Sequence, residues 1–257
     1  SPTVERELFF EGDYLSSRRE GDQVRVVLSG GAHLPNVNVY PDCRGGYDDG
    51  DDWRDAVESA RLAAHSLLAT AKLDDFVPNR FQRVTGTVST LEPGCDGYWV
   101  PTAGSSEYGL TQIETFDLAN VAANPSETAI VGAVQTVYAN GGTLVLAGQS
   151  FDTSRFISGI VSAEEYMVNT TYLHRFDLDA DPQGATYTGS ATIPGTLIDQ
   201  FAIDEKDGVL RLATHVQLSN GNEWRESSAL YTVSGPTGSL EIAGRVENVA
   251  PNEQMHS

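Results

Sequence analysis

Lysine is almost missing from this chain: Lys72 and Lys206 are the only two, and arginine supplies the other fourteen of its 16 basic residues. Acidic residues number 36, so the formal net charge is −20 and the isoelectric point lies near 4.4. A field of that sign repels a phosphate backbone, which excludes nucleic acid as a partner. Long apolar runs are also lacking. Residues 24–28 form one of the longest, and Arg25 interrupts it; a helical membrane span needs roughly 18 apolar residues, so none is expected. Cysteine is scarce, with Cys43 and Cys95 alone and no Cys-x-x-Cys pair or adjacent histidine to suggest zinc. A bridge between the two would close a loop of about 50 residues and contribute roughly 3–4 kcal/mol. Two unrelated buried thiols is the other reading. The first residues, Ser1-Pro2-Thr3-Val4-Glu5-Arg6, show neither the basic nor the apolar region of a signal peptide. Such a leader is expected to have been removed or to lie upstream.

What the chain does have is enough apolar content, 40% against 20% charged, to exclude wholesale disorder. Most of it reads as short strands bounded by Gly, Asn, Asp and Pro. Residues 23–28 are a strand candidate followed by Ser29-Gly30-Gly31. Residues 136–139 and 143–147, rich in β-branched residues, flank Asn140-Gly141-Gly142 and predict a tight hairpin. A second hairpin is predicted from residues 200–203 and 209–214, joined by a longer turn over 204–208 that ends at Asp207-Gly208.

These pieces recur. Ile130-Val131-Gly132, Thr188-Gly189 and Ala243-Gly244 align, with glycines 57 and 55 positions apart, each after another strand at a similar remove: residues 115–118, 175–178 and 230–233. A unit of strand, loop, glycine-bearing strand and hairpin, four strands in about 55 residues, has the size of a long propeller blade. Glycine weakens a strand unless another backbone must come close, and the crowded inner strands of a propeller are the expected place. One segment breaks the pattern. Over residues 51–72, Trp53, Val57, Ala60, Ala64, Leu67, Leu68 and Ala71 recur at spacings of three or four, with Asp49 or Asp51 available as a cap. An amphipathic helix packed on a face or rim of the propeller is predicted, ended before Pro78. The fold class expected is therefore all-β: a β-propeller of about four four-stranded blades in residues 1–257, with one helical insertion.

The stretch 198–214, from Ile198-Asp199-Gln200-Phe201 through Asp204-Glu205 to Leu210-Arg211-Leu212-Ala213-Thr214, resembles the hallmark of a known family. That family is the bacterial and archaeal secreted proteins with a C-terminal β-propeller distantly related to WD repeats. Gly12-Asp13-Tyr14-Leu15-Ser16-Ser17-Arg18 with Gly21-Asp22 is similar to its early "GxYxxSRxxGd" strand. Leu173-His174-Arg175-Phe176 and Val249-Ala250-Pro251-Asn252-Glu253 resemble its "IHKF" and "LAPGE" stretches, and Cys95 falls where members often carry a cysteine. Ala202-Ile203 stands where the family has Ser-Met. The resemblance implies a propeller outside the cytosol and no catalytic set to carry over. It also implies further strands after the last motif. Most propellers have more than four blades, so the remaining ones are expected from a second polypeptide, a cleaved C-terminal part or further chain.

Candidate chemistry is sparse. Asp48-Asp49-Gly50-Asp51-Asp52 gathers hard oxygen ligands that suit Ca²⁺, with helix capping in a solvated loop as the alternative. Asp177, Asp179 and Asp181 have the spacing of the first ligands of a calcium loop, but Thr188 occupies the position of its closing glutamate. A polar turn between strands is the alternative. Asp204, Glu205 and Asp207 sit in a predicted turn, where Asp and Gly serve geometry rather than acid–base chemistry. The five histidines are scattered and no Gly-x-Ser-x-Gly elbow occurs. Asn169-Thr170-Thr171 is a formal glycosylation sequon. The function expected is a non-catalytic binding or scaffold module, secreted or at the cell surface, for protein or glycan. An extracellular hydrolase or lyase acting at the propeller channel and a structural subunit of a surface assembly are the alternatives.

Overall fold

The computed structural model describes residues 4–31, 50–72, 75–92, 95–103, 109–151, 166–220 and 222–253. In chain order the first elements are β1 (Arg6–Phe10), β2 (Asp13–Glu20), β3 (Gln23–Gly30), helix α1 (Gly50–Leu68), β4 (Arg80–Val84) and β5 (Thr87–Thr90). Then come β6 (Tyr98–Trp99), β7 (Leu110–Asp117), β8 (Ser126–Val131), β9 (Thr136–Asn140), β10 (Thr143–Phe151) and β11 (Tyr166–Met167). The last are β12 (Asn169–Asp177), β13 (Thr186–Pro194), β14 (Ile203–Lys206), β15 (Val209–Ser219), β16 (Trp224–Ser234) and β17 (Glu241–Val249). The chain divides into two compact units, one of residues 7–10 and 32–93, the other of residues 1–6, 11–31 and 94–257.

The larger unit is three antiparallel sheets built alike. Sheet I runs β2-β3-β7-β8, with β6 added in parallel outside β8; sheet II runs β9-β10-β12-β13; sheet III runs β14-β15-β16-β17, with β11 extending the β14 edge of β15. Each opens with a two-residue hairpin: Gly21-Asp22, Gly141-Gly142 and Asp207-Gly208. The second hairpin is thus closed by two glycines, with Asn140 paired in the strand and Gly141 supplying the positive φ. The third turn is tight where the sequence suggested a long one. Asp204, Glu205 and Lys206 belong to β14, and Asp207 takes φ +55° ahead of Gly208 at +81°.

Burial patterns explain the stacking. In β10 the run Leu144-Val145-Leu146-Ala147 is apolar at every position because sheet II is covered on both faces. Leu144 and Leu146 join Val27, Ile113, Ile130 and Phe176 in one core, whereas Val145 and Ala147 join Leu173, Ile193, Leu210, Leu212, Tyr231 and Val233 in the other. In β15 the buried Leu210 and Leu212 alternate with the exposed Arg211, the period-two signature of a sheet covered on one side. The first strands sit side by side: the Glu205 backbone N–H of β14 donates to the Tyr138 hydroxyl of β9 at 3.0 Å. The Arg18 Nη2 of β2 donates to Gln200 Oε1, just ahead of β14, at 2.9 Å. Sheets stacked face to face with their first strands gathered together are the blades of a β-propeller.

The glycine repeat is real but its register and place differ from expectation. Gly189 and Gly244 are equivalent, opposite Arg175 and Thr232, each beside a bulge that lets one extra residue into the fourth strand. They therefore lie on the outermost strands rather than the inner ones. A Cβ on Gly189 would meet the side chain of Leu240 and the backbone of Ser239, both at 3.4 Å, so the close approach is to the neighbouring blade's loop. Gly132 is not their equivalent. Its N–H bonds to Gly109 O, as that of Gly195 bonds to Asn169 O and that of Asn252 to Glu226 O. These three residues, with φ of +147°, +86° and +62°, turn the chain out of the fourth strand of each blade.

In the smaller unit β1, β4 and β5 form a sheet. The Arg80 and Arg83 guanidinium groups lie 5.9 and 5.1 Å from the ring centres of Phe10 and Phe9, and Arg83 also pairs with Glu7 at 2.8 Å. Helix α1 begins at Gly50 and ends at Leu68, short of Lys72, with Asp51 and Asp52 in its first turn. No residue of the helix is buried: Ala56, Ala60 and Ala64 are only half-covered, and Trp53, Val57, Leu67 and Leu68 are exposed.

Candidate functional site

The first hairpins of blades I and II line a cavity of about 250 Å³ in the larger unit. Its floor is apolar, from Val27, Val137, Ala139, Leu144 and Leu178, and its rim carries Ser16, Ser17, Arg18, Arg19, Glu20, Arg25 and Gly141. Strand alternation places Arg25 and Val27 of β3 and Val137 and Ala139 of β9, whereas β2 contributes Ser16 to Glu20 in sequence. In β2 the alternate positions Ser16 and Arg18 face the gathered first strands, and in β3 Arg25 and Val27 point toward blade II.

Arg18 and Arg25 are held by backbone or neutral groups, and Arg19 also pairs with an acid. Arg18 Nη1 donates to Ser16 Oγ and to the Ser17 carbonyl, both at 2.9 Å, beside its bond to Gln200. Arg19 Nε donates to the Gly21 carbonyl at 2.8 Å and lies 3.7 Å from the exposed Asp22. Arg25 is 5% exposed, and its Nε and Nη2 donate to the carbonyls of Gly184 and Pro182 at 3.2 and 3.1 Å. Burial pulls the Arg25 guanidinium below its ordinary range, while Glu20, Asp181 and Asp179 oppose that shift without reaching it as ion pairs. Arg25 is the residue that sequence reasoning left out. Its only signal was a charge inside the apolar run 24–28.

The structure places the predicted ligand residues in separate settings. Asp48, Asp49 and Cys43 lie outside the described residues, and Cys95 opens a short 3₁₀ turn, Cys95–Gly97. Asp51 stands at the start of α1, 2.7 Å from Arg54. Asp177, Asp179 and Asp181 do share one loop, between β12 and β13. There Asp177 Oδ1 accepts the N–H groups of Asp179 and Ala180, and Asp181 Oδ1 accepts that of Gln183. Asp117 makes the matching turn in blade I, its Oδ1 accepting from Ala119 N at 2.7 Å. These are side chain–backbone turns of the kind Asp favours. Among the described residues, no three His, Cys, Asp or Glu side chains are grouped to hold a metal ion.

The remaining candidates are structural. Asp204 faces Arg211 at 3.3 Å, and Glu205 Oε1 accepts the Gly208 N–H that closes the hairpin. Asn169 is fully buried; its Nδ2 donates to His215 O and its Oδ1 accepts from Gln217 N, so the sequon is closed to a glycan in the folded protein. His174 is 2% exposed, with Nδ1 2.7 Å from Ser190 Oγ, which is itself 2.6 Å from the Tyr187 hydroxyl. Desolvation holds this imidazole near pKa 4, neutral and sealed between β12 and β13.

Three blades of matching topology define a β-propeller, and the first hairpins of two of them carry the polar part of the pocket. The comparison with known families agrees: the family model described as "Beta propeller domain" matches residues 1–257. The chain belongs to that family. No curated protein matches it.

Proposed function

We propose that this propeller is a non-catalytic binding or scaffold module, secreted or at the cell surface, that takes a protein or glycan at the hairpin end of blades I and II. The observation that supports it is the pocket itself: an apolar floor with the buried Arg25 beside it and the exposed Arg18 and Arg19 at its rim, carried on strands. The resemblance of the 12–22 and 198–214 stretches to secreted propellers supports the location, and Arg18 and Gln200, one from each stretch, meet at the rim. A Cys43–Cys95 bridge belongs to the same reading, and thiol labelling before and after reduction tests it. The test of function is capture from the native envelope and on a glycan array with wild-type protein and an Arg18→Gln, Arg19→Gln variant. Loss of a captured partner in the variant supports the reading, and capture unchanged by the variant removes it.

A second reading rests on the far face of blade III. Phe201, Leu230 and Val246 are 81%, 46% and 58% exposed there, around an apolar hollow of about 560 Å³. The corresponding faces of blades I and II are covered by the next blade. We propose that a further β-sheet, from a second chain or a cleaved C-terminal part, seats on this face. Sedimentation of wild type against Leu230→Glu, Val246→Glu tests it: a complex or self-association lost in the variant supports the idea, and a wild type that remains monomeric with no companion refutes it.

A further inference from the structure

Among the charged groups of the larger unit, Arg25 stands out. It is nine-tenths buried, it has no carboxylate within ion-pair distance among the described residues although Glu20, Asp181 and Asp179 act on its charge from further off, and its two hydrogen bonds go to backbone carbonyls at the long end of the range. Nη1 is left without a hydrogen bond among the described residues. Buried cations are ordinarily paired, and a guanidinium held by carbonyls on one side still presents donors in a planar fork on the other. The cavity that Arg25 lines also receives Arg18 and Arg19, with Glu20 the one acid in its wall, in a molecule where acids outnumber bases by 36 to 16. Beneath those cations the floor is wholly aliphatic: Val27, Val137, Ala139, Leu144 and Leu178.

We infer that the blade I–II cavity binds a carboxylate carried on a short aliphatic stem, the anion at Arg25 and the stem against the floor. The inference rests on the binding-module reading and names the chemical group that the module recognises. Two sources supply that group: a free short-chain acid, or the C-terminus of a protein partner that ends in an aliphatic residue. The arginine fork accepts a carboxylate in bidentate geometry, and the surrounding low dielectric strengthens that bond. The floor adds apolar burial that a simple inorganic anion lacks.

The experiment titrates the intact chain with hexanoate, hexanol and N-acetyl-leucine, read by amide chemical shifts and calorimetry. Hexanoate is expected to bind about tenfold or more tightly than hexanol, with shifts centred on Val27, Val137 and Leu144 and weakening as salt is raised. Tighter binding of N-acetyl-leucine than of hexanoate identifies a chain terminus as the source; the reverse identifies a free acid. Arg25→Gln is expected to erase the preference for acid over alcohol. Should that variant not fold, the same erasure is expected in Arg18→Gln, Arg19→Gln. Equal binding of hexanoate and hexanol, or none of hexanoate, overturns the inference. If such a protein still captures an envelope partner through Arg18 and Arg19, the binding-module reading survives alone. A protein that binds hexanoate but captures nothing leaves the carboxylate pocket standing without that reading.

Discussion

Gly195 and Asn252 occupy the same place in successive blades, and the difference between them is testable. Gly195 takes φ +86°, and a Cβ there would fall 2.6 Å from the His215 carbonyl oxygen. Gly195→Ala is therefore expected to destabilise by about 2 kcal/mol or more, since left-handed strain and a backbone clash add. Asn252, at +62°, tolerates that region because Asn does so better than other residues with a Cβ. Asn252→Gly is expected to change stability by less than about 1 kcal/mol. Urea denaturation of both variants checks the pair. His174 offers a second test at this scale. Above its ordinary pKa of 6.5 both folded and unfolded chains hold it neutral. Between 6.5 and about 4 the unfolded chain binds a proton that the folded chain refuses, so stability falls as pH drops through that window and levels off below it. The total loss is up to about 3 kcal/mol. His174→Gln keeps a hydrogen-bonding partner for Ser190 and is expected to flatten this slope in denaturation curves taken across the window. The glycine equivalence was only half legible in the sequence: Gly189 and Gly244 could be matched, but Gly132 was paired by identity and spacing. Its true partner, Gly195, is revealed by the bond to the start of the third strand, which no pattern of letters displays.

Strands and hairpins were the most legible part of the molecule because their causes are local. Strand-forming residues around Asn140-Gly141-Gly142 and before and after Asp207-Gly208 marked the second and third opening hairpins, whereas the first, closed by Gly21-Asp22, was not read as one. The length of the third turn was misread, since Asp204 and Glu205 suit a loop by composition, yet cross-strand contact with Arg211 and Leu210 draws them into β14. Helix α1 was legible from its spacing, but the burial of its face was not, since a stripe of apolar residues states what a helix can bury and not what meets it. The same logic separates two leucines. Leu173 on β12 is fully buried between blades II and III, whereas Leu230 on β16 points to the open face. Leu173→Ala is expected to lower unfolding free energy by about 3 kcal/mol and Leu230→Ala by less than about 0.5 kcal/mol. A reversed order in denaturant midpoints would contradict the assignment of covered and open faces.

At the scale of the whole molecule, the blade order and the rim cluster depend on contacts between residues far apart in the chain. Arg25 meets carbonyls more than 150 positions away, and Arg18 meets Gln200 across a similar span, so neither could be read from local pattern. Net charge could be read, and it acts on everything else. A charge of −20 on a 27.6 kDa chain repels itself in the compact state. Added NaCl shortens the Debye length to about 10 Å at 0.1 M, and the melting temperature is expected to rise steadily with salt. Screening depends on ionic strength alone, whereas an ion held by ligands depends on its identity. In the Asp177–Asp181 loop, Asp177 and Asp181 already accept backbone N–H groups, which favours screening there. Calcium and magnesium chloride at equal ionic strength are therefore expected to raise the melting temperature equally. A step produced by calcium alone, at concentrations too low to screen, would place an ion among these aspartates and make charge neutralisation a matter of binding rather than of medium.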